Sequence, residues 1–411
     1  MEVVVERCAG LDVHKKSVVA CVRTPGGTGR RQERIRTFGT FLDDLEALRD
    51  WLTAAGVTQA VMESTGSYWK PVYYVLEDAG FDLLLVNARH VKAVPGRKTD
   101  VKDASWLCQL LEVGLLRGSF VPDPVMRQLR DVTRYRKRLI QDRTRETQRV
   151  DKVLEDGTIK LGSVASETLG ASGRAMIEAL IAGERDPERL AELAKGRLRV
   201  KIPDLVRALN GRFEEHHAMM LRVHLDHIDY LDQAISGLDD RVEEVMSPFV
   251  DARDRLMTIP GVGKRTAEVF LAEIGPDMTR FPTAGHLASW AGVCPGNNES
   301  AGKHYSGRTR KGDRWLIDAL VQAAWAAVRT KDTYLSAQFW NLARRIGKKK
   351  AIIAVAHSIL VIAYHVLHDQ VDYQDLGGDY FTKRTDPQRR TRQLVRQLEA
   401  LGHTVTIQPA A

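Results

Sequence analysis

Four carboxylates in the first hundred or so residues constrain this chain most: Asp12, Glu63, Asp100 and Asp103. Each stands at the end of a stretch patterned as a strand or at the start of one patterned as a helix. Residues 3–24 read as two strands joined tightly, with Asp12 ending the first. A third strand is predicted around Glu33–Phe38, and Phe41–Ala55 has helical spacing at Leu42, Leu45, Leu48, Trp51 and Leu52. Gln59–Gly66 reads as an apolar strand that delivers Glu63 at its C-terminal end. Tyr68–Asp78 reads as a helix, Phe81–Asn87 as a buried strand, and Asp100 opens the next helix. This order predicts an α/β sheet with helices packed on it.

Glu63 follows Asp12 by 51 residues and Asp100 follows Glu63 by 37. Strand ends and a helix N-terminus on one sheet edge bring such acids together, as open α/β sheets bind ligands outside strand carboxyl ends. With Asp100 as N-cap, Asp103 falls one turn later and both point from the positive end of the helix. Asp is favoured at any helix start, so this pair by itself reads first as capping. As a set, four mutually repelling carboxylates offer only oxygen and suit Mg²⁺ or Mn²⁺. A two-ion site would clamp the attacking and leaving oxygens of a phosphodiester.

The 411 residues leave room for two or three domains. A net charge of +8 is modest over that length, so the clustering of bases carries more information. Residues 127–152 hold ten Lys or Arg against four acids, and residues 344–350 hold five against none. Such blocks point to a polyanion, nucleic acid before membrane, although solvated helix faces produce the same pattern. Cys8, Cys21, Cys108 and Cys294 form no CxxC pair and predict buried thiols in a reducing cytoplasm. Glu2, Glu6 and Arg7 argue against a secretory signal at the start. The apolar run 351–367 is broken by His357, Ser358 and His365 and falls short of the roughly 20 residues of a bilayer span. It is expected to be a buried core helix, with no membrane partner.

After Pro122 and Pro124, Val125–Val153 predicts a strongly basic helix that includes Arg134 and Arg138. Residues 155–211 read as irregular to helical, with glycines throughout. A long helix follows, in which Leu221, Leu225, Ile228, Ile235, Leu238, Val242 and Val245 keep a broken heptad spacing. That seam fits an antiparallel hairpin within one chain or a contact between two. His217, His224 and His227 share a face of this helix, but without a cysteine they read as surface or core filling rather than zinc ligands.

Leu256–Ala267 reads as a helix-hairpin-helix, with a plain glycine-bearing helix turn as the alternative. Gly261 and Gly263 let backbone N–H groups approach a phosphate, and Lys264 and Arg265 add charge there. Further on, Ser300 lies in a glycine-bearing loop and Ser306 precedes Gly307. Lys303, Arg308, Arg310, Lys311 and Arg314 surround them with one acid, Asp313, so a phosphate arriving there meets compensating charge. Lys383, Arg384, Arg389, Arg390, Arg392 and Arg396 crowd the tail, which reads equally as a nucleic-acid contact and as a solvated end.

Gly10–His14, Glu63–Gly66 and Asp100–Ala104 resemble the DEDD nuclease domain of the Holliday-junction resolvase RuvC, an α/β RNase H-like fold. Joined to the second half, they most resemble the DEDD transposases of bacterial insertion sequences, which include Piv-type invertases and bridge-RNA-guided recombinases. The resemblance runs over nearly the whole chain. It implies a RuvC-like catalytic domain over 1–120, a basic helical and coiled-coil linker over 121–250, a mostly α transposase domain over 251–370 and a basic tail over 371–411. It also implies a DNA recombinase of the bacterial cytoplasm that works as a dimer or tetramer, with DNA and a structured guide RNA as partners. The family's nucleophilic serine lies in a Ser-x-Gly segment, matched by Ser300-Ala301-Gly302, with Ser306 as the fallback. Asp12, Glu63, Asp100 and Asp103 would then hold Mg²⁺ or Mn²⁺. A metal nuclease using activated water and a non-enzymatic nucleic-acid scaffold are the alternative readings.

Overall fold

The structure is a computed structural model that describes residues 3–27, 30–64, 66–87, 91, 103–296, 298–309, 311–383 and 387–408. Asp100 and Arg310 lie outside the described residues, as do Arg384 and the segment from 92 to 102. The chain divides into two units, Met1–Val121 and Pro122–Ala411. The boundary expected at 250 falls inside the second of these.

In the first unit β1 (Cys8–Val13), β2 (Val18–Pro25) and β3 (Arg31–Phe38) form an antiparallel meander. β4 (Gln59–Glu63) pairs with β1, and β5 (Asp82–Val86) with β4, both in parallel, giving the order β3-β2-β1-β4-β5. Parallel neighbours require crossovers, here through α1 (Leu42–Ala54) and α2 (Trp69–Leu76). Val3–Val5, read as the lead of the first strand, stays outside the sheet; Val4 and Val5 donate instead to the Glu112 carbonyl.

Alternation along the strands decides which helix each residue meets. Ala9, Leu11 and Val13 of β1 and Ala60 and Met62 of β4 pack against Leu45, Leu48 and Leu52 of α1 and Val72 and Leu76 of α2. On the opposite face Cys8, Cys21 and Val61 meet Ala104, Leu107, Cys108 and Leu111 of α3 (Asp103–Glu112). Helix α3 comes so close that a Cβ on Gly10 would lie 2.2 Å from the Ala104 carbonyl oxygen and 2.5 Å from the Cys108 nitrogen. Its far end is fixed by the buried Glu112, which Arg23 Nε meets at 3.0 Å and which also pairs with Arg31.

Among its described residues the second unit is helical apart from one hairpin. α4 (Pro124–Asp156) starts at the Asp123 cap, with Pro124 in its first turn. It packs antiparallel to α9 (Glu215–Met246): Leu139 meets Leu231 and Ile235, while Val150 and Leu154 share a core with Leu221 and Leu225. The heptad seam is therefore closed within one chain. Residues 155–211 resolve into α5 (Leu161–Val164), α6 (Ala171–Ile181), α7 (Pro187–Glu192) and α8 (Ile202–Leu209), which bury Met176, Leu180 and Leu190 against that end of the hairpin.

Next come α10 (Val250–Met257), α11 (Lys264–Ile274), α12 (Ala284–Ala291), the strands β6 (Asn298–Ser300) and β7 (Lys303–Ser306), and α13 (Arg314–Arg329). α14 (Tyr334–Ile346), α15 (Lys348–His368), α16 (Tyr380–Lys383) and α17 (Pro387–Ala400) complete the chain. By length and composition α15 is apolar enough to cross a membrane. In this structure it is a core helix, with Ala351, Val355, Ala356, Ile359, Leu360 and Ala363 fully buried.

Charges buried inside the second unit bind α4 to the helices after it. Arg134 grips the fully buried Glu273 with two hydrogen bonds of 2.7 and 2.6 Å and reaches Asp313 at 3.2 Å. Arg130 Nε lies 3.1 Å from the same Glu273, and Arg136 bridges Glu268 at 2.7 Å and Asp239 at 2.8 Å. Removing one partner of such a pair strands the other in a dry interior. Glu273→Ala is therefore expected to cost about 3–5 kcal/mol in urea unfolding. Gly10→Ala should cost about 1–3 kcal/mol by pushing α3 off the sheet, and a wild-type midpoint for either variant would contradict this packing.

Candidate active site and nucleic-acid interface

The register places three of the four predicted acids on one corner of the first unit. Leu11 stands beside Met62 in the parallel pair, so the next residues, Asp12 and Glu63, are neighbours at the strand ends. Leu11 and Met62 face α1 and α2, so by alternation Asp12 and Glu63 face α3. Helix α3 runs against β1 in the opposite direction. Cys108 Sγ lies 3.5 Å from Cys8 Sγ, and Ala104 lies over Gly10, so Asp103 at the head of the helix comes towards Asp12. All three carboxylate residues are half-buried.

The donors at this corner are oxygens, the type that suits Mg²⁺ or Mn²⁺. Asp12, Glu63 and Asp103 share that oxygen chemistry, but their ligand atoms do not all lie within 4.8 Å of one another. Among the described residues, however, the group whose ligand atoms all lie within 4.8 Å of one another is Asp156, His216 and His217. There His217 Nδ1 accepts the Glu214 N–H at 3.0 Å, completing the cap of α9, and Nε2 meets Asp156 at 3.2 Å. Both ring nitrogens already serve the fold. His224 and His227 turn instead to Glu146, at 2.8 and 3.3 Å. These contacts hold the Glu146 carboxyl below its usual range although burial works the other way.

His14 is a neighbour that the acid pattern did not single out. Its Nε2 lies 3.1 Å from Asp12 Oδ2 and it is more than half exposed. Its position two residues after Asp12, on the same side of an extended chain, was the available signal.

Ser300 ends β6 and pairs with Lys303 of β7 across a two-residue turn. Ala301 (φ 48°) and Gly302 (φ 75°) both take the left-handed conformation, as a tight primed hairpin turn requires. The turn projects Ser300 and Lys303, both exposed, from the tip. At the base, Pro295 bridges Thr309 and the Gly296 N–H donates to the Arg308 carbonyl at 3.0 Å. Ser306 pairs with Asn298 in the backbone near a bulge. Lys311 is exposed, and Gly312 is pressed so tightly on the end of α12 that a Cβ would lie 2.1 Å from the Ala291 carbonyl. Asp313 then caps α13 by accepting from the Leu316 N–H at 2.9 Å, which leaves Arg314 exposed on its first turn.

The turn between α10 and α11 separates the two glycines expected at a phosphate. Gly261 (φ 85°) faces α13, where a Cβ would meet the Ala323 carbonyl at 2.2 Å, so close packing already demands glycine there. Gly263 caps α11 with open space where a Cβ would stand. Lys264 pairs with Glu243 at 2.6 Å and Arg265 with Asp239 at 2.7 Å, both partly exposed. Arg134, expected at nucleic acid, has its guanidinium on Glu273 and Asp313. Arg138 lies over the ring of Trp315, with 5.5 Å from guanidinium to centroid, and lines a pocket of about 280 Å³ with Arg145 and Arg314. This joining of cations to an aromatic ring was not visible in the sequence, where α4 and Trp315 stand far apart.

Two family models match this chain. Residues 9–158 match the transposase family DEDD_Tnp_IS110, and residues 253–340 match the transposase family IS116/IS110/IS902. One match covers the acid-bearing unit and the other the serine-bearing region, which defines the class as a DEDD transposase of insertion sequences. The chain belongs to the IS110 family of these transposases. It is 29% identical over 193 residues to the IS110 insertion-element 43.6 kDa protein of Streptomyces coelicolor, covering 46% of this chain and 42% of that relative. It is 27% identical over 331 residues to the IS900 insertion-element 42 kDa protein of Mycobacterium paratuberculosis, covering 72% and 79%. The pilin gene-inverting protein of Moraxella bovis is 32% identical over 150 residues, covering 34% and 46%.

Ala301 holds a conformation that costs a residue with a Cβ about 1 kcal/mol or more. Ala301→Gly is expected to relieve the turn without loosening the Ser300–Lys303 register, whereas Ala301→Val should unpair the tip. Amide exchange at the hairpin checks this, and equal protection in both variants would contradict the turn geometry.

Proposed function

We propose that this protein is a DNA recombinase of its insertion sequence, with a RuvC-like acid corner and a serine nucleophile at the hairpin tip. The observation that carries the reading is the placement of Asp12, Glu63 and Asp103 on one side of a mixed sheet, in a chain that also exposes Ser300 opposite Lys303. Ser300 Oγ attacks the scissile phosphorus, the serine-phosphate bond forms as the bond to the 3′ oxygen breaks, the serine proton passes to the departing 3′ oxygen, and the covalent link retains the energy for rejoining. Lys303 and Arg308 hold the phosphate oxygens as negative charge grows on them. Asp12, Glu63, Asp103 and, by the same pattern, Asp100 hold Mg²⁺ or Mn²⁺, which when bound supplies Lewis-acid stabilisation of phosphoryl oxygens.

DNA engages the open N-terminus of α11 at Gly263 and the exposed bases Lys311 and Arg314, with Arg310 added on charge alone. Lys264 and Arg265 exchange their α9 partners for phosphates, and Arg138, rather than the committed Arg134, serves on α4. A structured guide RNA is the second polyanion, and the Arg138–Trp315 pocket suits either by combining charge with a stacking face. Met219, Val223 and Tyr230 lie exposed along one stripe of α9 and support assembly with further copies of the chain.

A metal nuclease working through activated water has one observation in its favour, since the acid corner is built wholly from the first unit. A covalent protein–DNA adduct trapped on nicked substrate separates the two. Ser300→Ala should bind DNA normally and form no adduct; survival of the adduct would move the role to Ser306. Asp12→Asn should abolish Mg²⁺-dependent strand transfer by at least a hundredfold, in the range for losing a key catalytic group, and undiminished turnover would remove Asp12 from the site.

A further inference from the structure

At the base of the serine hairpin lies a cleft of about 900 Å³, walled by Gly307–Thr309 on one side and by α14 and α15 on the other. α15 divides its residues cleanly. Val355, Ala356, Ile359 and Leu360 are fully buried, while Ile353, Ala354, His357 and Ser358 turn to the cleft and stay half-buried. The floor is therefore apolar along Ile353 and Ala354, with a polar end at His357 and Ser358. Burial holds His357 below the usual imidazole range, so at neutral pH it is an uncharged hydrogen-bonding group. Gln338 donates to Ser358 Oγ at 2.8 Å, yet its own Oε1 is buried with no hydrogen-bond partner among the described residues. The wall thus holds an acceptor whose desolvation the protein does not offset.

The mouth has the opposite character. Arg308, Lys349 and Lys350 line it, with no carboxylate among the described lining residues. Lys348, Lys349 and Lys350 occupy the first turn of α15, behind a Gly347 cap that offers no side-chain hydrogen bond. Cations are disfavoured at a helix N-terminus, where the dipole is already positive and free N–H groups point outwards. Three lysines there oppose the local preference of the fold, and an anion at the mouth reverses the sign of that cost.

We infer that this cleft takes one unstacked nucleotide of a single strand, its base on the Ile353–Ala354 floor and its phosphate at the lysine-rich start of α15. An apolar slot with a polar end matches a base, which has two π-faces and a hydrogen-bonding edge. The cleft volume lies within the range of small-ligand sites and exceeds the need of one nucleotide. From Ser300 to the Gly307 wall the hairpin extends about 13 Å at strand spacing, so the nucleotide held lies close to the phosphate that the serine would attack. The inference rests on the reading that this unit meets nucleic acid, and it does not require Ser300 to be the nucleophile.

The test uses the full chain and fluorescent 12-mer single strands, as DNA and as RNA, each intact or with its central residues abasic. Fluorescence anisotropy should show the intact strand bound about tenfold more tightly than the abasic one. Ala354→Trp, which fills the floor, should erase that difference by weakening the intact strand while leaving the abasic strand at wild-type affinity. Preference for the DNA or RNA series identifies which strand supplies the nucleotide. Equal binding of intact and abasic strands by the wild type would overturn the inference without recourse to any variant, and so would an Ala354→Trp protein that still discriminates tenfold. Adduct formation is scored in parallel: base discrimination without an adduct defeats the serine reading alone, and an adduct without discrimination defeats the cleft alone.

Discussion

A carboxylate with no access to water, Glu273, holds the second unit in register. It sits on α11 and is met by Arg130 and Arg134 from α4, while Arg134 also reaches Asp313 at the cap of α13. A buried charge is tolerated only when its partners are correctly placed, so the three helices can dock in few other ways. The basic loop after the serine hairpin ends at that same Asp313, and α13 begins with the exposed Arg314. Burial raises the Glu273 carboxyl above its ordinary range even with arginines beside it.

The first unit solves its placement problem with size instead of charge. β1 has no side chain at Gly10, so α3 settles on the sheet at a distance that a methyl group would forbid. Cys8 and Cys108 fill the next layer as small buried groups, and thiol hydrogen bonding with Cys21 and Cys8, together with burial, pushes the Cys108 thiol far up. The outcome is mechanical. A helix seated at Gly10 turns its Asp103 end towards the side where β1 and β4 end in Asp12 and Glu63.

Charge in this protein divides by use. Most bases of α4 answer to acids within the fold, as in Arg136 with Glu268, Lys137 with Asp318 and Arg143 with Asp232. A block of ten bases therefore overstates the field that nucleic acid would meet. Lys303 and Lys311 near the hairpin and Lys348, Lys349 and Lys350 in the first turn of α15 are exposed.

The sequence by itself determined the strand and helix order of the first unit, the ends at which Asp12 and Glu63 fall, the core character of α15 and the glycine-bearing turn at Ser300. These are set by local periodicity and by backbone conformations that few residues adopt, so neighbouring residues suffice to reveal them. Tertiary structure alone decided that the heptad seam of α9 closes on α4 of the same chain, that Gly261 serves packing on α13, and that Arg134 is committed to Glu273. Each depends on partners tens to more than a hundred residues away, and an arginine looks the same in sequence whether it will meet a buried carboxylate or a phosphate. Only the folded chain reveals which negative charge lies within reach.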